Sequence, residues 1–526
     1  MTEPIDVHKV FAEYFKGYET LAYALSSKLA EGNICIDIDD YKSKLPGLLV
    51  EHKTKEYFKE EYSRFWASPE DFEKQCRPGY FVTHSADELK PFVVQGRNAY
   101  LHRYFKYETQ IIDNIKRLDK NFHIITGGPG TGKTYSVSTK LVELFGKNKT
   151  LKVALAAPTG KAAARMNESI RKFSENSDIS LDENVKNCLT GLKAQTIHRL
   201  LGYVPDSVFF KYGEKNKLPY NIIIIDECSM IDGAMMAKLL NAIDDNTSVY
   251  LLGDKDQLAS VEAGSVFGDA CRAADSKLLK DRIEIKTESH RFDSHSGIGK
   301  LSREVISGTF NNISEYNNDE QIIIDTSLSS NLFDEYAILY KEYIIQPDVK
   351  TALQLLNLVR FLCVTRESVS EVNKKIQYFL SRNVNDFKPK SYGFYENQPV
   401  IITKNDYNLG IFNGDVGLIR KDGETLYAWF ETTDGEIIKI QAGFLNNYET
   451  VFAMTIHKSQ GSEFDNVVLI LQEKQGEKLL TRELLYTGVT RAKNRVLLQT
   501  SESVLRKCIE SSVTRASGLE NRLKEE

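Results

Sequence analysis

The loop of residues 127–134 fits the pattern G-x-x-x-x-G-K-[ST], which in proteins binds the phosphates of a nucleotide. Its residues are Gly127, Gly128, Pro129, Gly130, Thr131, Gly132, Lys133 and Thr134. An apolar run, residues 123–126, precedes the loop, and a segment with helical character, residues 135–145, follows it. In this setting backbone N–H groups face phosphate oxygens, the lysine reaches the β- and γ-phosphates, and the last hydroxyl ligates Mg²⁺. ATP or GTP is therefore the expected ligand. The alternative, an ordinary glycine turn that binds no nucleotide, is disfavoured.

Two carboxylates follow a second apolar run, residues 222–225, about ninety residues after the loop. An enzyme that hydrolyses a nucleotide needs one acid for Mg²⁺ and one that orients or deprotonates the attacking water. We assign Asp226 to the metal and Glu227 to the water. Gln257, which comes after a further apolar run, is a neutral side chain able to sense the γ-phosphate. Solvated acids at the end of a strand are the alternative, which the preceding loop disfavours.

The composition is that of a globular protein with several domains. A chain of 526 residues is too long for one core, so three or four domains are expected. The longest apolar stretches fall short of the roughly 20 residues of a membrane span, so we expect a cytoplasmic protein with no membrane partner. Seven scattered cysteines without a C-x-x-C pair are expected to be reduced core residues. A net charge of −5 means that any nucleic acid must be held by a local groove or attracted by a partner.

The pattern along the chain predicts an α/β fold with two parallel-sheet domains. Residues 1–108 are expected to form a mainly helical domain without catalytic motifs, for which we hypothesise a partner-docking role. Residues 109–300 and 301–526 each contain near-continuous apolar runs, typical of parallel strands covered on both faces. These runs are residues 153–157, 222–225, 249–252, 361–364, 467–471 and 496–498.

Two segments of the second α/β domain differ from the rest in composition and polarity pattern. Residues 311–331 are rich in Asn, Ser and Asp and predict a surface loop. Residues 395–450 alternate in polarity and carry turn sequences at 413–415, 421–423 and 433–435. Hairpins at this spacing predict a small antiparallel barrel inserted into the domain.

Together these motifs resemble those of superfamily 1 helicases, and more closely those of the RecD family in superfamily 1B, the alpha subunits of exodeoxyribonuclease V (RecBCD). The resemblance runs from about residue 100 to 519. Its most specific segments are 127–134, 157–163, 196–202, 226–232, 253–267, 454–464 and 486–492, while 405–415 and 517–519 favour RecD over other members. It implies two RecA-like motor domains, with an SH3-like β-barrel as the insertion.

The resemblance also implies further nucleotide contacts. Arg291 and Arg491 would reach the γ-phosphate, both from the second domain, and closing the cleft would then couple hydrolysis to domain movement. A surface ion pair is the alternative for either arginine. Gln110 would read the adenine edge, although glutamines are also common at helix starts. Gly461 and Glu463 would complete the nucleotide site.

The same resemblance places a strand-binding face after strands of both motor domains. Small hydroxyls and backbone N–H groups there would grip phosphates without reading sequence. The candidate residues are Pro158, Thr159, Gly160, Lys161, Thr196, His198, Thr455, His457, Lys458 and Ser459. The two histidines could instead be core residues, or metal ligands, for which no third ligand lies at metal spacing. Residues 202–220, with Phe209 and Phe210, are a candidate pin hairpin that splits the duplex.

The function implied by the resemblance is an ATP-dependent 5′–3′ DNA helicase subunit that acts on single-stranded DNA and duplex DNA ends beside RecB-like and RecC-like chains. Its expected roles are double-strand break repair by homologous recombination and degradation of linear duplex DNA, in the bacterial cytoplasm. A stand-alone RecD-like helicase is one alternative. An RNA helicase is another, because phosphate contacts do not reveal the sugar. A nuclease is disfavoured: residues 284–286 give an E-x-K without a well-placed partner aspartate, and we interpret them as a strand that leads to Arg291.

Overall fold

The N-terminal part of the chain combines helices with a small sheet. The computed structural model describes residues 5–55, 58–176, 181–204, 207, 209–293, 295, 297–406, 408–432, 435–472, 479–513 and 515–526. The first helices are α1 (Val7–Ala12), α2 (Glu19–Ala30), α3 (Ile38–Lys53) and α4 (Pro69–Gln75). The strands β1 (Cys35–Asp37), β2 (Val82–Thr83), β3 (Phe92–Gln95) and β4 (Asn98–Leu101) form a sheet of order β1-β4-β3-β2. This sheet was not predicted, because strands of two to four residues are too short for an alternating pattern.

The first α/β unit is a six-stranded parallel sheet of order β10-β5-β9-β8-β6-β7. Its strands are β5 (Phe122–Gly127), β6 (Val153–Ala157), β7 (Ala194–Thr196), β8 (Ile222–Ile225), β9 (Ser248–Gly253) and β10 (Ile283–Lys286). Its helices are α5 (His102–Leu118), α6 (Lys133–Lys147), α7 (Gly160–Glu175), α8 (Glu183–Thr190), α9 (Ile197–Leu200), α10 (Gly233–Asn241) and α11 (Val266–Arg272). Helices α6, α7 and α8 pack on one face and α5, α10 and α11 on the other. The strands predicted at 153–157, 222–225 and 249–252 are confirmed.

The second α/β unit is a five-stranded parallel sheet of order β11-β20-β19-β12-β18. Its strands are β11 (Ile322–Asp325), β12 (Val359–Cys363), β18 (Ala453–Thr455), β19 (Phe464–Ile470) and β20 (Ala492–Gln499). Its helices are α12 (Gly297–Ser307), α13 (Ser330–Ala337), α14 (Lys341–Ile345), α15 (Val349–Leu355), α16 (Arg366–Asn383), α17 (Arg482–Val489) and α18 (Glu502–Glu510).

The prediction of a surface loop over residues 311–331 was wrong, because this segment contains the edge strand β11. Ile322 is fully buried, and the strand pairs in parallel with β20. A four-residue strand flanked by Asn and Asp is hidden by the polar composition around it. The pairing partner that stabilises it lies far along the chain.

Between α16 and β18 lies a five-stranded antiparallel sheet of order β16-β15-β14-β13-β17. Its strands are β13 (Pro399–Ile402), β14 (Val416–Asp422), β15 (Thr425–Glu431), β16 (Ile437–Gln441) and β17 (Tyr448–Thr450). Its core is separate from those of the parallel sheets and includes Val400, Ile419 and Phe430. The β14–β15 hairpin turns at Gly423, whose φ of +62° favours glycine. Short 3₁₀ helices elsewhere are Glu60–Trp66, Asp119–Asn121, Cys228–Met230, Ile313–Tyr316, Ile338–Tyr340, Ala442–Phe444 and His457–Ser459.

The C-terminal segment returns from the second unit to the first. Helix α19 (Leu519–Glu525) buries Leu519 and Leu523 completely in a core of the first sheet. Just before it, the Ser517 hydroxyl donates to Glu108 Oε1 at 2.8 Å, and Arg522 pairs with Glu108 Oε2 at 3.3 Å. The chain therefore crosses between the two units at this segment as well as between β10 and α12.

Two composition-based expectations can be compared with this structure. The seven cysteines are free thiols, and all except Cys188 are buried. Of the helices in the described part of the chain, none has both the length and the apolar character of a membrane span.

Candidate functional site

The loop after β5 is shaped to receive phosphate. Strand β5 ends at Gly127 and helix α6 begins at Lys133, so the start of the helix faces the loop. Gly130 and Gly132 have φ of +77° and +75°, a conformation that favours glycine, and a Cβ on Gly127 would lie 2.6 Å from the carbonyl of Lys286. The Lys133 ammonium donates to the carbonyls of Gly127 and Gly128, at 2.5 and 3.0 Å. The loop thus holds a cation and a helix N-terminus at one point.

The acidic pair lies beside this loop, at the end of β8. The Glu227 amide donates to Asp226 Oδ1 at 2.8 Å, and Glu227 itself has a φ of +55°. Burial and the neighbouring Glu227 carboxylate raise the pKa of Asp226, while Lys133 opposes this shift. Thr134 and Asp226 line the same cleft, and their hydroxyl and carboxylate oxygens are the donors that Mg²⁺ prefers. These residues could therefore hold Mg²⁺ next to the loop.

The loop and the acids form one wall of a cleft of about 950 Å³ between the two α/β units. The first unit contributes the loop residues 129–134 together with Asp226, Glu227 and Gln257. The second unit contributes Glu463, Thr490 and Arg491. A ligand bound at the loop therefore faces side chains from both units.

A chain of hydrogen bonds joins the two walls. Gln257 donates to Asp254 Oδ2 at 2.9 Å, and Arg491 Nη2 donates to Gln257 Oε1 at 2.7 Å. The Tyr486 hydroxyl also donates to Asp254 Oδ2, at 2.9 Å. Asp254 is 1% exposed and Arg491 2%, so these bonds are shielded from water. Gln257 thus connects a buried carboxylate of the first unit to an arginine of the second.

Sequence reasoning missed Asp254 and Tyr486 as site residues. Both lie inside segments that had been recognised, 253–267 and 486–492. No spacing rule distinguishes them from their neighbours, because they face each other only when the two sheets are in place.

The placement of Arg291 on the second unit was wrong. Arg291 follows β10, the edge strand of the first sheet, and the His290 amide next to it donates to Gly130 O at 2.9 Å. Ser289 Oγ donates to Pro129 O at 3.0 Å, so this segment lies directly on the phosphate loop. The prediction that residues 284–286 form a strand leading to Arg291 is confirmed. The error arose because a parallel edge strand paired with β5 cannot be assigned to one sheet or the other from sequence.

Glu463 of the second unit binds two arginines of the first. Arg291 Nη1 lies 2.7 Å from Glu463 Oε1, and Arg165 of α7 pairs with the same oxygen. Burial alone would raise the pKa of Glu463, but the charges of Arg165 and Arg291 lower it to about 2. Arg165 lines the cleft and had no motif-based signal in the sequence beyond its position after segment 157–163.

Neither of two further predicted nucleotide contacts, Gln110 and Gly461, is among the residues that line the cleft. Gln110 is half-exposed in α5, the helix on the face of the sheet opposite α6. Gly461, with φ of +68°, abuts α7, where an added Cβ would lie 3.5 Å from that of Ala162. The structure therefore does not bring Gln110 together with the loop, while Gly461 allows the second unit to approach α7.

The strand-binding candidates mostly lie where strands end and helices begin. Thr159 follows Pro158 and caps α7, where Gly160 is the first residue, and Thr196 caps α9. Thr455 Oγ1 accepts from the Lys458 amide at 3.2 Å. Ser459 is an exception, because it is fully buried and donates to Ile456 O at 2.7 Å. Its hydroxyl is therefore not available to bind a nucleic-acid strand.

Of the two histidines, His198 is exposed and His457 is partly buried. His198 packs edge-on against Phe210 with ring centroids 5.7 Å apart, and burial lowers the pKa of His198 and of His457. Within the described ranges, no cluster of three His, Cys, Asp or Glu side chains suited to a metal occurs around them or elsewhere.

Of the basic side chains on the predicted strand-binding face, Lys161 has the largest shift in pKa. Its ammonium lies 5.5 Å from the Phe464 ring centroid, at the contact between the units. Burial, with the charges of Arg360 and Arg165, lowers the pKa of Lys161 to about 7.

The candidate pin lies partly outside the described residues, since Val208 is not among them. Tyr203 and Phe210 form an antiparallel bridge, and Gly202 before them has a φ of +71°. The Phe209 side chain is 77% exposed. An exposed aromatic side chain thus lies next to this bridge.

A phosphate loop and an acidic pair on one parallel sheet, with an arginine supplied across a cleft by a second sheet, define a two-domain P-loop nucleotide hydrolase. Residues 110–263 match the model of the AAA domain family, and residues 450–499 match that of the UvrD-like helicase C-terminal domain. The chain is 37% identical to the RecBCD enzyme subunit RecD of Mycolicibacterium smegmatis, covering 99% of this chain and 97% of that protein. It is 31% identical to the same subunit of Haemophilus influenzae, covering 97% and 94%. The chain belongs to the RecD family.

More distant similarities extend to other helicases. The ATP-dependent RecD2 DNA helicase of Deinococcus radiodurans is 30% identical, covering 71% of this chain and 46% of that protein. A solved structure of Pif1 helicase from Bacteroides, in complex with ADP-AlF3 and ssDNA, is 17% identical with a TM-score of 0.43, covering 77% of this chain and 94% of that one.

Proposed function

We propose that this chain is the ATP-dependent 5′–3′ DNA helicase subunit of a RecBCD (exodeoxyribonuclease V) complex. The observation that carries this proposal is the bond between Gln257 and Arg491 across the cleft. It makes the hydrolytic site depend on both α/β units, which act as RecA-like motor domains. Membership of the RecD family supports the choice of DNA unwinding as the work done with ATP.

The residues of the cleft divide the chemistry of hydrolysis among them. Lys133 and the loop amides bind the β- and γ-phosphates, and Glu227 orients and deprotonates the attacking water. Thr134 and Asp226 would hold Mg²⁺, which would supply positive charge beside the phosphates. Arg491 and Arg291 stabilise the charge that develops on the γ-phosphate. Because Arg491 belongs to the second motor domain, hydrolysis and phosphate release change the contact between the domains.

In this proposal the DNA strand lies against the predicted strand-binding face, whose residues follow β-strands of both motor domains. Thr159, Lys161 and Thr196 grip phosphates from the first motor domain, while Thr455, His457 and Lys458 do so from the second. The DNA strand then moves because one motor domain releases it while the other holds it, and the two domains alternate. Unwinding must overcome stacking of about 1.4 kcal/mol per base-pair step, and in this proposal Phe209 of the pin, whose side chain is exposed, separates the strands. The antiparallel insertion completes the second motor domain as an SH3-like barrel.

We propose RecB-like and RecC-like partners, docked through the N-terminal domain. On and beside α1, Ile5, Val7, Val10 and Tyr14 expose between 47% and 83% of their surface, an apolar group suited to a protein partner. The RecD subunits of Mycolicibacterium smegmatis and Haemophilus influenzae align with 99% and 97% of the chain and RecD2 with 71% of it, which favours a complex subunit over a stand-alone helicase. Such a complex acts on duplex DNA ends, in double-strand break repair by recombination and in degradation of linear DNA, in the bacterial cytoplasm.

The test of this function is the activation of ATP hydrolysis by nucleic acid. We expect single-stranded DNA to stimulate steady-state hydrolysis strongly, and RNA of the same sequence and length to stimulate it less. Preferential stimulation by RNA would favour the RNA helicase alternative, and no stimulation by either would refute a strand-driven motor.

The lowered pKa of Lys161 predicts a pH-dependent affinity for the strand. Lys161 is charged below its pKa of about 7 and neutral above it, and a bound phosphate favours the charged form. Affinity for single-stranded DNA is therefore expected to fall as pH rises from 7 to 8, by up to about fivefold for one coupled proton. Equilibrium titration with a labelled oligonucleotide at fixed salt measures this change. Lys161→Arg is the matched control, since its guanidinium stays charged; an equal pH dependence in both proteins would contradict the assignment.

A further inference from the structure

Helix α7 carries an arginine into the nucleotide cleft. Arg165 lies four residues after Lys161, one helical turn further on. It lines the cleft with Arg291 and Arg491, and its side chain is 32% exposed. It thus belongs to neither the phosphate loop nor the acidic pair, yet it faces the same ligand.

Arg165 and Arg291 share one carboxylate. Both guanidinium groups bind Oε1 of Glu463, whose side chain is 15% exposed. With a pKa lowered to about 2, Glu463 is ionised at every working pH. The cleft therefore contains two cations from the first motor domain around a single anion from the second.

We propose that Arg165 is a positioning residue for ATP hydrolysis, which retains Glu463 when Arg291 turns to the phosphates of the nucleotide. This inference rests on the function proposed above. A buried carboxylate that loses its only cation is strongly destabilised, so Arg291 alone would be held by Glu463 and would resist transfer. With Arg165 in place, Glu463 keeps a partner after Arg291 has moved. Arg165 also holds the second motor domain against α7 during the exchange.

The proposal predicts a specific pattern among four variants. Arg165→Ala is expected to lower kcat for ATP hydrolysis about tenfold and to change KM for ATP by less, because the nucleotide still binds to the loop. Arg165→Lys retains the charge and most of the rate. The double variant Arg165→Ala/Glu463→Gln is expected to recover severalfold over Arg165→Ala, since the neutral amide no longer holds Arg291. Arg171→Ala, an exposed position on the same helix, is the control and leaves both constants unchanged.

The measurement is steady-state ATP hydrolysis by the full chain, with and without saturating single-stranded DNA, after thermal unfolding has verified each variant's fold. A kcat for Arg165→Ala within twofold of wild type would overturn the proposal, and so would a double variant slower than Arg165→Ala. If Arg165→Ala does not fold, Arg165→Gln, which removes the charge but keeps more of the side chain, replaces it in both comparisons. Wild-type hydrolysis that is insensitive to DNA would instead refute the proposed motor function, while the comparison of variants stands on basal hydrolysis.

Discussion

Replacing Lys133 by alanine is expected to lower ATP hydrolysis by at least about 10²–10³-fold and to abolish strand separation. The Lys133 ammonium lies at the loop carbonyls of Gly127 and Gly128, and we propose that it contacts the β- and γ-phosphates there. Its loss removes the fixed cation next to the charge that develops in the transition state. The fold should persist, because the loop glycines and helix α6 keep their backbone contacts.

Lys140→Ala is the matched control for this experiment. Lys140 lies on the same helix but is exposed and pairs with Glu143 at 2.7 Å. Hydrolysis should be unchanged in this variant, with an effect on stability of well under 1 kcal/mol. Near-normal DNA-stimulated turnover by Lys133→Ala would show that this loop is not the hydrolytic site.

Replacing Arg491 by alanine is expected to lower the rate of hydrolysis by about 10³-fold or more, the effect of an arginine that reaches the transferred phosphoryl group. Arg491 comes from the second motor domain, and it also donates to Gln257 Oε1 and to the carbonyl of Thr487. Its removal therefore breaks one of the hydrogen bonds that join the two walls, as well as removing a charge. Nucleotide binding should be largely retained, because the loop is intact.

The readouts for Arg491 are single-turnover hydrolysis and equilibrium nucleotide binding. Loss of the buried hydrogen bonds is expected to cost about 1–3 kcal/mol in unfolding free energy, so Arg491→Lys is a useful second variant. It keeps the charge but not the planar fork, and should also be slow. Arg495→Ala, an exposed position on β20, is the control. A wild-type rate for Arg491→Ala would mean that the second domain does not complete the site.

The parts of the fold that could be predicted from sequence are those with a local signal. The phosphate loop needs only its own eight residues and a helix after them, and β8 needs only four consecutive isoleucines. Strand β11 and the N-terminal strands could not be found in this way, because they are short and depend on partners distant in sequence.

The residues of the candidate site also differ in whether a local sequence signal identifies them. Gln257 and Arg491 were predicted separately, but the bond between them exists only because β9 and α17 end at the same cleft. Arg165, Asp254 and Tyr486 carry no individual spacing signal and become recognisable through their partners in space. Arg291 was predicted by type and placed on the wrong domain, since its strand pairs with β5 rather than with the second sheet.

A strand-separation assay on a duplex with a 5′ single-stranded tail, beside the same duplex with a 3′ tail, tests most directly whether the cleft between the two domains drives a motor. The chain would be assayed alone and together with RecB-like and RecC-like chains, any ATP-binding loop of which has been inactivated. We predict ATP-dependent separation of the 5′-tailed duplex that is lost in both Lys133→Ala and Arg491→Ala. Failure to separate either duplex under both conditions, or separation that persists in Arg491→Ala, would contradict a motor driven by the cleft between the two domains.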